Sequence, residues 1–326
     1  EPFNFNVTEI EIIDNGNTVK GYKGGTATTD DGLKIEAENF IYDKILNILN
    51  AYGNVKITND IDNYKIFSEK ITYIKRQEKI FTNGLTKAIF DERYNFLSKD
   101  VLFLRNEMIL SSSEKSSIID GDENLYKFGK FKYFINDGIL KAKNIEIISN
   151  YKKSINEKEF YSFDDGIINI KNKDFTASET TIKIKKSIFD DNKNDPRIYG
   201  VSSKKKGEIT TINKGVFTSC AFNDKCPPWS ISSKKIIHDS KKKQIIYKDA
   251  VLKIYDLPIL YFPKFFHPDP SVKRQSGFLQ PQLNNSNILG SSFRLPYFHV
   301  LSDNKDFTLT PTIFDKDIFM IQNEYR

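Results

Sequence analysis

Hydrophobic and polar residues alternate with a period of two along most of the chain. The alternation is clear over residues 34–38 and 70–75, and turn dipeptides ending in glycine punctuate it at 83–84 and 137–138. Alternation between such turns is typical of short β-strands joined by tight hairpins. The pattern predicts an all-β sandwich, jelly roll or solenoid, with no helix beyond a turn or two within residues 112–117.

A short phrase recurs within this pattern: an apolar residue, any residue, Ala or Ser, and usually a charged residue. The first two copies keep their register for a full unit of 31 residues, so that Tyr42 matches Tyr73. Repetition at such a period indicates stacked supersecondary units. A small inward residue between larger apolar ones leaves space inside a narrow sandwich, although Ala and Ser equally suit any tapering β core. The apolar first positions that we expect to point into the interior are Ile35, Ile66, Phe96 and Ile231.

The composition is that of a folded protein, with 39% hydrophobic and 28% charged residues. No run approaches the roughly 18 apolar residues that a membrane-spanning helix needs. Strands of a membrane barrel are short and alternate, so they remain compatible with the sequence. The chain opens at Glu1 with neither a basic nor an apolar leader, so we expect any export signal to have been removed or left out.

Candidate catalytic residues do not form a known pattern. His238, His267 and His299 lie far apart, and the sequence has no nucleophile elbow, zinc-protease motif or nucleotide-binding loop. We therefore predict that the protein is not an enzyme and uses no cofactor or metal.

The positive charge comes mainly from lysine. The formal net charge is +6, and lysine triplets occur at 204–206 and 241–243. They suit either an anionic partner such as a phosphorylated lipid or solvated strand edges, where lysine blocks edge-to-edge aggregation. Nucleic acid is not expected as a partner, because no recognition helix and no aromatic RNA-binding phrase occurs.

Cys220 and Cys226 are the only two cysteines, and neither has a histidine close enough for a common zinc pattern. In an exported protein two such close cysteines favour a small local disulfide. Free thiols in a cytosolic protein are the alternative. Trp229, the single tryptophan, follows two prolines and is expected to anchor the segment after the cysteines.

The last quarter of the chain has a different character. Four prolines interrupt the aromatic segment 255–270, which predicts an edge strand and a stiff link. Four strand candidates follow, and the first two carry Pro281 and Pro296, each of which removes a backbone donor from the ladder. Because a bacterial barrel needs at least about eight strands, we expect this barrel to be incomplete within the chain.

These segments resemble the outer-membrane lipopolysaccharide-assembly protein family, LptD (older name OstA). The resemblance is carried by residues 271–281, by the Thr-Ser-Cys phrase at 218–220 followed by Pro-Trp-Ser, and by the Gly-Asn-Val strand start at 53–55. It implies a periplasmic β-jelly roll of OstA-like repeats over residues 1–266, then the first strands of a transmembrane β-barrel over 267–326. It also implies a disulfide from Cys220 to a cysteine near the barrel's C-terminus, an alternative to the local bridge to Cys226.

The resemblance further implies lipopolysaccharide transport and assembly at the Gram-negative outer membrane. Acyl chains would travel in the jelly-roll interior, with Ile35, Ile66, Phe96 and Ile231 as candidate contacts. They would leave through a lateral barrel seam loosened by Pro281 and Pro296. The implied partners are lipopolysaccharide, a periplasmic bridge jelly-roll protein, a plug lipoprotein and the outer membrane itself.

Two other functions fit the same pattern. One is a soluble periplasmic bridge jelly roll with no membrane part. The other is a surface adhesin-like β-solenoid, which would have a solid core and functional loops on its outside.

Overall fold

The computed structural model describes residues 3–184, 195–220, 227–268, 272, 274–288, 290–315 and 318–326. Within these ranges the predicted all-β fold is confirmed, and the helical elements are 3-10 turns at Asp14–Gly16, Lys75–Gln77 and Ile155–Glu157. None of the helices in the described part is long and apolar enough to cross a membrane. The helical turn expected within residues 112–117 is wrong, because one strand ends at Ser112 and the next begins at Ser116.

The chain forms two compact units. The first comprises Glu1–Asp239 and Ile246–Phe265, and the second comprises Ser240–Ile245 and Phe266–Arg326. The larger of the two described sheets has 21 strands and the smaller has six. The assignment of residues 1–266 to a periplasmic jelly roll and of 267–326 to a barrel stays a prediction, since a compact unit carries no mark of its compartment.

The strands of the large sheet, in chain order, are β1 (Asn4–Ile13), β2 (Thr18–Thr28), β3 (Leu33–Ala37), β4 (Asn39–Asp43), β5 (Ile48–Asn59), β6 (Tyr64–Ile74), β7 (Lys79–Phe90), β8 (Tyr94–Lys99), β9 (Leu102–Leu104), β10 (Ile109–Ser112), β11 (Ser116–Ile119), β12 (Leu125–Phe128), β13 (Phe131–Phe134), β14 (Ile139–Ser149), β15 (Glu159–Asn169), β16 (Phe175–Lys183), β17 (Arg197–Lys206), β18 (Ile209–Thr218), β19 (Trp229–Asp239), β20 (Gln244–Ile254) and β21 (Leu257–Pro268).

The large sheet is an antiparallel meander in which most long strands pair with the long strand before and the long strand after them. In several places one long strand is divided into two short strands, and both short strands pair with the same long neighbour. Thus β3 and β4 both pair with β2 and with β5, and β12 and β13 both pair with β14. Short turns connect the strands, and the predicted turn at 137–138 follows β13. The turn predicted at 83–84 is wrong, because these residues lie within β7.

Small residues cluster where the long strands are irregular at their middle. The β5–β6 register shifts between Tyr52 and Val55, and the β6–β7 register shifts between Ser68 and Lys70. Such bulges bend a strand and leave ladder groups unpaired. Ser68 compensates, because its hydroxyl donates to the carbonyl of Lys70 at 3.3 Å. At Gly25 a Cβ would lie 2.5 Å from a backbone oxygen, so the close approach of β1 requires glycine.

The small residue of the repeated phrase therefore has a role that the sequence did not reveal. Its buried position lies beside the bulge, where two strands approach closely and a serine hydroxyl replaces a lost ladder hydrogen bond. The members of the phrase that are buried there are Ala37, Ser68, Ser98, Ala142, Ala177 and Ser233.

The core of the first unit is a continuous cluster of buried apolar side chains. Among the described residues it begins at Phe3 and ends at Ala177. Ile198, Ile212 and Phe217 of β17 and β18 are also buried but lie outside this cluster. The interior therefore changes character near β16, which bears on the site described below.

The strands of the smaller sheet are β22 (Gly277–Phe278), β23 (Gln282–Ser286), β24 (Gly290–Arg294), β25 (Tyr297–Ser302), β26 (Lys305–Phe314) and β27 (Phe319–Tyr325). They form a second antiparallel meander in which β22 and β23 lie beside β25 and β24, and β26 pairs with β24, β25 and β27.

Candidate functional site

A row of directly opposite apolar residues crosses the large sheet from β1 to β19. Each member is in register with the next across the neighbouring strand, so all of them share one face of the sheet. At about 4.8 Å per strand the row extends for roughly 65 Å. We call it the apolar row, and its members are Phe5, Ala27, Ile35, Ile57, Ile66, Ala88, Phe96, Ile118, Tyr126, Ile147, Tyr161, Ile182, Ile198, Phe217 and Ile231.

The four residues selected from the repeated phrase all lie on the apolar row. Ile35, Ile66 and Phe96 are 0%, 2% and 1% exposed, and Ile231 is half-buried opposite Phe217. Whether they contact lipid stays a prediction. The rest of the row was missed, because its members become neighbours only through the strand register, which no single repeat displays.

A second row lies on the other half of the same strands. We call it the facing row. Aromatic contacts join the two rows: the ring centroids of Phe5 and Tyr42 are 5.8 Å apart, and those of Tyr161 and Phe175 are 6.2 Å apart. The sheet therefore folds back on itself with both rows inside. The members of the facing row are Val19, Tyr42, Leu49, Tyr73, Ile80, Phe103, Leu110, Tyr133, Leu140, Ile168, Phe175, Lys205, Thr210 and His238.

The facing row changes from apolar to polar at β17. Lys205, Thr210 and His238 continue it directly from Phe175, and we call these three residues the polar end. The apolar row continues unchanged over the same strands. From β2 to β16 the interior thus has two apolar surfaces, and from β17 to β19 it has one apolar and one polar surface.

Two tyrosine hydroxyls inside the sandwich are hydrogen-bonded to carboxylates and stay neutral. The hydroxyl of Tyr126 donates to Asp120 at 3.1 Å, and that of Tyr73 donates to Glu78 at 2.5 Å. Burial, above all, raises the pKa of both phenols, and the nearby carboxylates raise it further. These groups place no charge on the apolar surfaces.

Cys220 is anchored between the ends of β18 and β19. Its carbonyl accepts a hydrogen bond from Arg197 Nη1 at 2.5 Å, and its Sγ lies 3.7 Å from the carbonyl oxygen of Trp229. The Thr218 hydroxyl donates to the same Trp229 oxygen at 2.8 Å. The thiol forms no disulfide with a described residue. Cys226 lies outside the described residues, so both disulfide pairings stay predictions.

An aromatic path continues the apolar row towards β21. The ring centroids of Trp229 and Phe217, a member of the apolar row, are 5.9 Å apart, and those of Phe217 and Tyr247 are 6.5 Å apart. The Phe265 ring continues the path, because its centroid is 5.8 Å from that of Tyr247 and 5.4 Å from that of Phe262. Trp229 thus has the anchoring contact that its position after two prolines predicts.

The smaller sheet has an apolar face and a polar face. Leu283, Phe293, Ile313 and Phe319 are directly opposite one another on four strands, and all are exposed, Leu283 by 82%. The preceding or following position on each strand forms another row on the opposite face, in which Gln282, Arg294 and Thr312 are polar and Met320 is apolar. Apolar-out and polar-in alternation is the pattern of a membrane barrel wall.

Pro281 and Pro296 lie at interruptions of the smaller sheet, as expected from their missing donors. Pro296 separates β24 from β25, and its carbonyl accepts a hydrogen bond from the Leu279 amide at 2.8 Å. In an antiparallel pair both residues normally exchange two bonds, so the return bond is lost here. Pro281 separates β22 from β23. Backbone N–H groups of successive residues point to opposite edges of a strand. Gln282 pairs with Arg294 of β24, so the N–H that Pro281 lacks would point to the other edge of β23.

Pro311 is a third member of this series that we did not single out from the sequence. It lies in β26, and its carbonyl accepts a bond from the Leu295 amide at 3.2 Å without returning one. The signal was present, since 281, 296 and 311 are each fifteen residues apart. Pro296 lacks the donor that would face Leu279, Pro311 lacks the one that would face Leu295, and Pro281 lacks one at the other edge of β23. We call these three residues the proline line.

The arrangement offers surfaces rather than reactive groups. Within the described ranges, no group of three His, Cys, Asp or Glu side chains could hold a metal ion. What the molecule does present is a long apolar interior, a polar end, and a weakened line in a second sheet.

Comparison with known proteins points to one family. Residues 245–326 match the model of the family described as LptD protein. The LPS-assembly protein LptD of Legionella pneumophila strain Paris is 33% identical over 115 residues, which are 35% of this chain and 13% of the relative. The protein of the same name from Yersinia pestis bv. Antiqua is 33% identical over 121 residues, 37% of this chain and 15% of the relative.

A third relative, the LPS-assembly protein LptD of a Polaromonas species, is 33% identical over 119 residues, which are 36% of this chain and 14% of the relative. The aligned parts thus span about one seventh of the curated relatives. Over its residues 245–326 and in these alignments, the chain is thus similar to the LptD family.

Proposed function

We propose that this protein transports and assembles lipopolysaccharide at the outer membrane, and that it carries acyl chains along the apolar row. The relatives are named LPS-assembly proteins. The observation that carries the proposal is the unbroken apolar row from Phe5 to Ile231, which a compact domain with no cargo does not need at this length.

The energetics favour such a surface. A lipid acyl chain has about a dozen methylene groups, so exposing one to water costs on the order of 10 kcal/mol. A continuous apolar surface removes most of that cost at every point of the path. A path with polar gaps would impose part of it again at each gap.

Loading requires the two halves of the sheet to separate. Members such as Ile35 and Ile66 are fully buried against the facing row, so a chain enters only where these surfaces part. The acyl chain then covers the apolar area that the separation uncovers, and the net hydrophobic cost stays small.

The polar end gives the path a direction. Between β2 and β16 an acyl chain would have apolar surfaces on both sides, whereas beside Lys205 and His238 it would have only one. The protein therefore binds the acyl chain more weakly towards the last strands of the first unit. The Lys205 ammonium is also suited to a phosphate group on the sugar headgroup.

The proline line is our candidate for lateral release. Pro296 and Pro311 each leave one pair of opposite residues with a single hydrogen bond instead of two. Pro281 presents its missing donor to whichever strand lies on the other side of β23. A wall weakened at one level across successive seams opens more easily there than elsewhere.

The first strand is our candidate for the periplasmic bridge protein. Within the described part of the chain, β1 pairs with β2 alone. Its second edge can accept another strand, and Ile10 and Ile12 are 57% and 59% exposed beside that edge. A plug lipoprotein as partner of the barrel follows from the family resemblance.

Site-specific photo-crosslinking tests the path. A photoreactive amino acid at Ile35, Ile66, Phe96 or Ile231 should capture lipopolysaccharide in living cells. The matched controls are Lys34 and Lys65, which are exposed neighbours of Ile35 and Ile66 on the opposite face. Crosslinks to protein alone at all four inward positions, or equal lipid capture at the controls, would rule out transport along the apolar row.

A further inference from the structure

The outer face of β13 and β14 carries four lysines in a two-by-two arrangement. Lys132 is directly opposite Lys141, and the Lys143 amide donates to the Lys130 carbonyl at 3.1 Å in the adjacent pair. All four side chains are exposed. We call Lys130, Lys132, Lys141 and Lys143 the lysine grid.

This arrangement is unfavourable for folding by itself. Like charges directly opposite each other on neighbouring strands repel, because their Cβ atoms are only about 5 Å apart. Among the described residues, the grid has one carboxylate partner, Asp165, which lies 3.5 Å from Lys143. Protection of a sheet edge does not explain the grid either, since β13 and β14 both have strands on each side.

Two adjoining clefts concentrate the charge further. One of about 600 Å³ is lined by the whole grid, and one of about 890 Å³ shares Lys130 and Lys143 with it. Seven lysines and two carboxylates line the pair of clefts, whereas the net charge of the entire chain is +6. The lining lysines outside the grid are Lys99, Lys115 and Lys127.

The larger cleft is also partly apolar. Leu85 and Leu97 line it, and their side chains are 58% and 43% exposed. In the grid, the ammonium groups of Lys132 and Lys141 each lie 5.2 Å from the centroid of the Phe134 ring, and neither has a carboxylate partner among the described residues. A surface that combines such ammonium groups with exposed leucines suits a ligand that is anionic in one part and apolar in another.

We propose that the lysine grid binds a ligand carrying two or more phosphate groups. Lys132 and Lys141 are directly opposite each other, and both ammonium groups lie beside the same Phe134 ring, so one phosphorylated ligand can meet both. Charge-assisted hydrogen bonds to phosphate are the stronger kind. The chemistry fits a phosphorylated glycolipid headgroup or a free polyphosphate. This site is on the outside of the sheet, so it does not depend on transport along the apolar row.

Binding measurements with the full chain test the site. Titration calorimetry would use pyrophosphate as the free anion, diphosphoryl lipid A in detergent micelles as the lipid source, and the same lipid after dephosphorylation. The double variant Lys132→Gln with Lys141→Gln should weaken binding of the phosphorylated probes by about thirtyfold, since two charge-assisted bonds at an exposed site are lost together. Stronger binding of the micelles than of pyrophosphate would identify the lipid headgroup as the source.

The double variant Lys204→Gln with Lys206→Gln is the matched control. It removes the same charge from β17, where Lys204 is opposite threonines rather than lysines. Equal weakening in both variants would mean attraction by net charge alone and would overturn the site, as would equal binding of the dephosphorylated lipid.

Discussion

Arg105 shows how single residues close the edge of the sandwich. Its buried guanidinium donates to the Tyr73 hydroxyl at 2.7 Å, to Glu78 at 2.6 Å and to Asp31 at 3.1 Å. Its Nε donates to the Tyr64 hydroxyl at 3.2 Å. A buried charge is tolerated only when its donors are satisfied, and here four side chains supply the partners.

Asp31 makes this cluster sensitive to acid. Burial alone would raise the pKa of its carboxyl, but the Thr29 hydroxyl and the charges of Arg105 and Lys75 outweigh burial and lower the pKa from 3.8 to about 2. A carboxyl with a lowered pKa stabilises the fold above its unfolded value, and this contribution is lost as the pH falls through the folded value. The relevant window is therefore between about pH 4 and pH 2.

We predict that Asp31→Asn lowers the free energy of unfolding near neutral pH by about 1 kcal/mol, a value reduced for solvent screening because the side chain is half exposed. The difference from wild type should shrink as the pH falls towards 2. Urea unfolding followed by circular dichroism at several pH values measures it. Asp30→Asn is the control, since Asp30 is exposed and forms no ion pair with a described residue. A difference that stays constant with pH would contradict the assignment.

At the scale of strands, the sequence predicted which residues point inward better than it predicted which of them are neighbours across the sheet. Alternation predicted the strands, and the repeated phrase identified inward residues such as Ile66 and Phe96. The turn dipeptides were less reliable, because the one at 83–84 lies within β7. The phrase could not show that these two residues lie on one row, because row membership depends on the pairing of β6 with β7 and of β7 with β8. A bulge shifts that pairing by one residue, and bulges are not visible in the alternation.

The second inward row was hidden for a related reason. Its polar end comes from Lys205, Thr210 and His238, which lie in three strands of unremarkable sequence. We read Lys205 as part of an exposed triplet, whereas the register places it opposite buried Phe175. Only its two neighbours, Lys204 and Lys206, are exposed.

The proline line is an element-scale device and gives a second prediction. Replacing Pro311 by alanine supplies a donor directed at Leu295 and should restore a ladder bond worth about 1 kcal/mol. The Leu295 amide, which belongs to the same pair, should then exchange with deuterium about fivefold more slowly. The variant Pro296→Ala should slow exchange of the Leu279 amide in the same way.

Hydrogen exchange on the solubilised protein measures both effects, with Pro258→Ala in β21 as the control that leaves these amides unchanged. Unaltered exchange at Leu295 in Pro311→Ala would mean that the proline does not weaken the seam. Surface delivery of lipopolysaccharide is a separate readout for Pro281→Ala combined with Pro296→Ala. If two restored bonds together stabilise the closed seam by about 2 kcal/mol, the open population falls by roughly thirtyfold and delivery should slow.

At the scale of the whole molecule, the two rows make the interior asymmetric along its length. The facing row is apolar up to Phe175 and polar from Lys205 onwards, while the apolar row reaches Ile231 without interruption. The buried cluster ends at Ala177, close to the same point among the described residues. In our proposal the affinity for an acyl chain decreases from β1 towards β19. The acyl chain is therefore released at the end near β19.

Extending the apolar surface should therefore trap the cargo. Lys205→Leu combined with His238→Leu would make the facing row apolar as far as β19 and would add about 2 kcal/mol of favourable contact, or up to a thirtyfold longer residence. We expect crosslinking of lipopolysaccharide at Ile231 to rise and delivery to the cell surface to fall. Lys204→Leu is the control, because that side chain is exposed on the outer face and should alter neither quantity. Normal delivery by the double variant at normal abundance, with no added lipid at Ile231, would show that the polar end does not set the direction of transport.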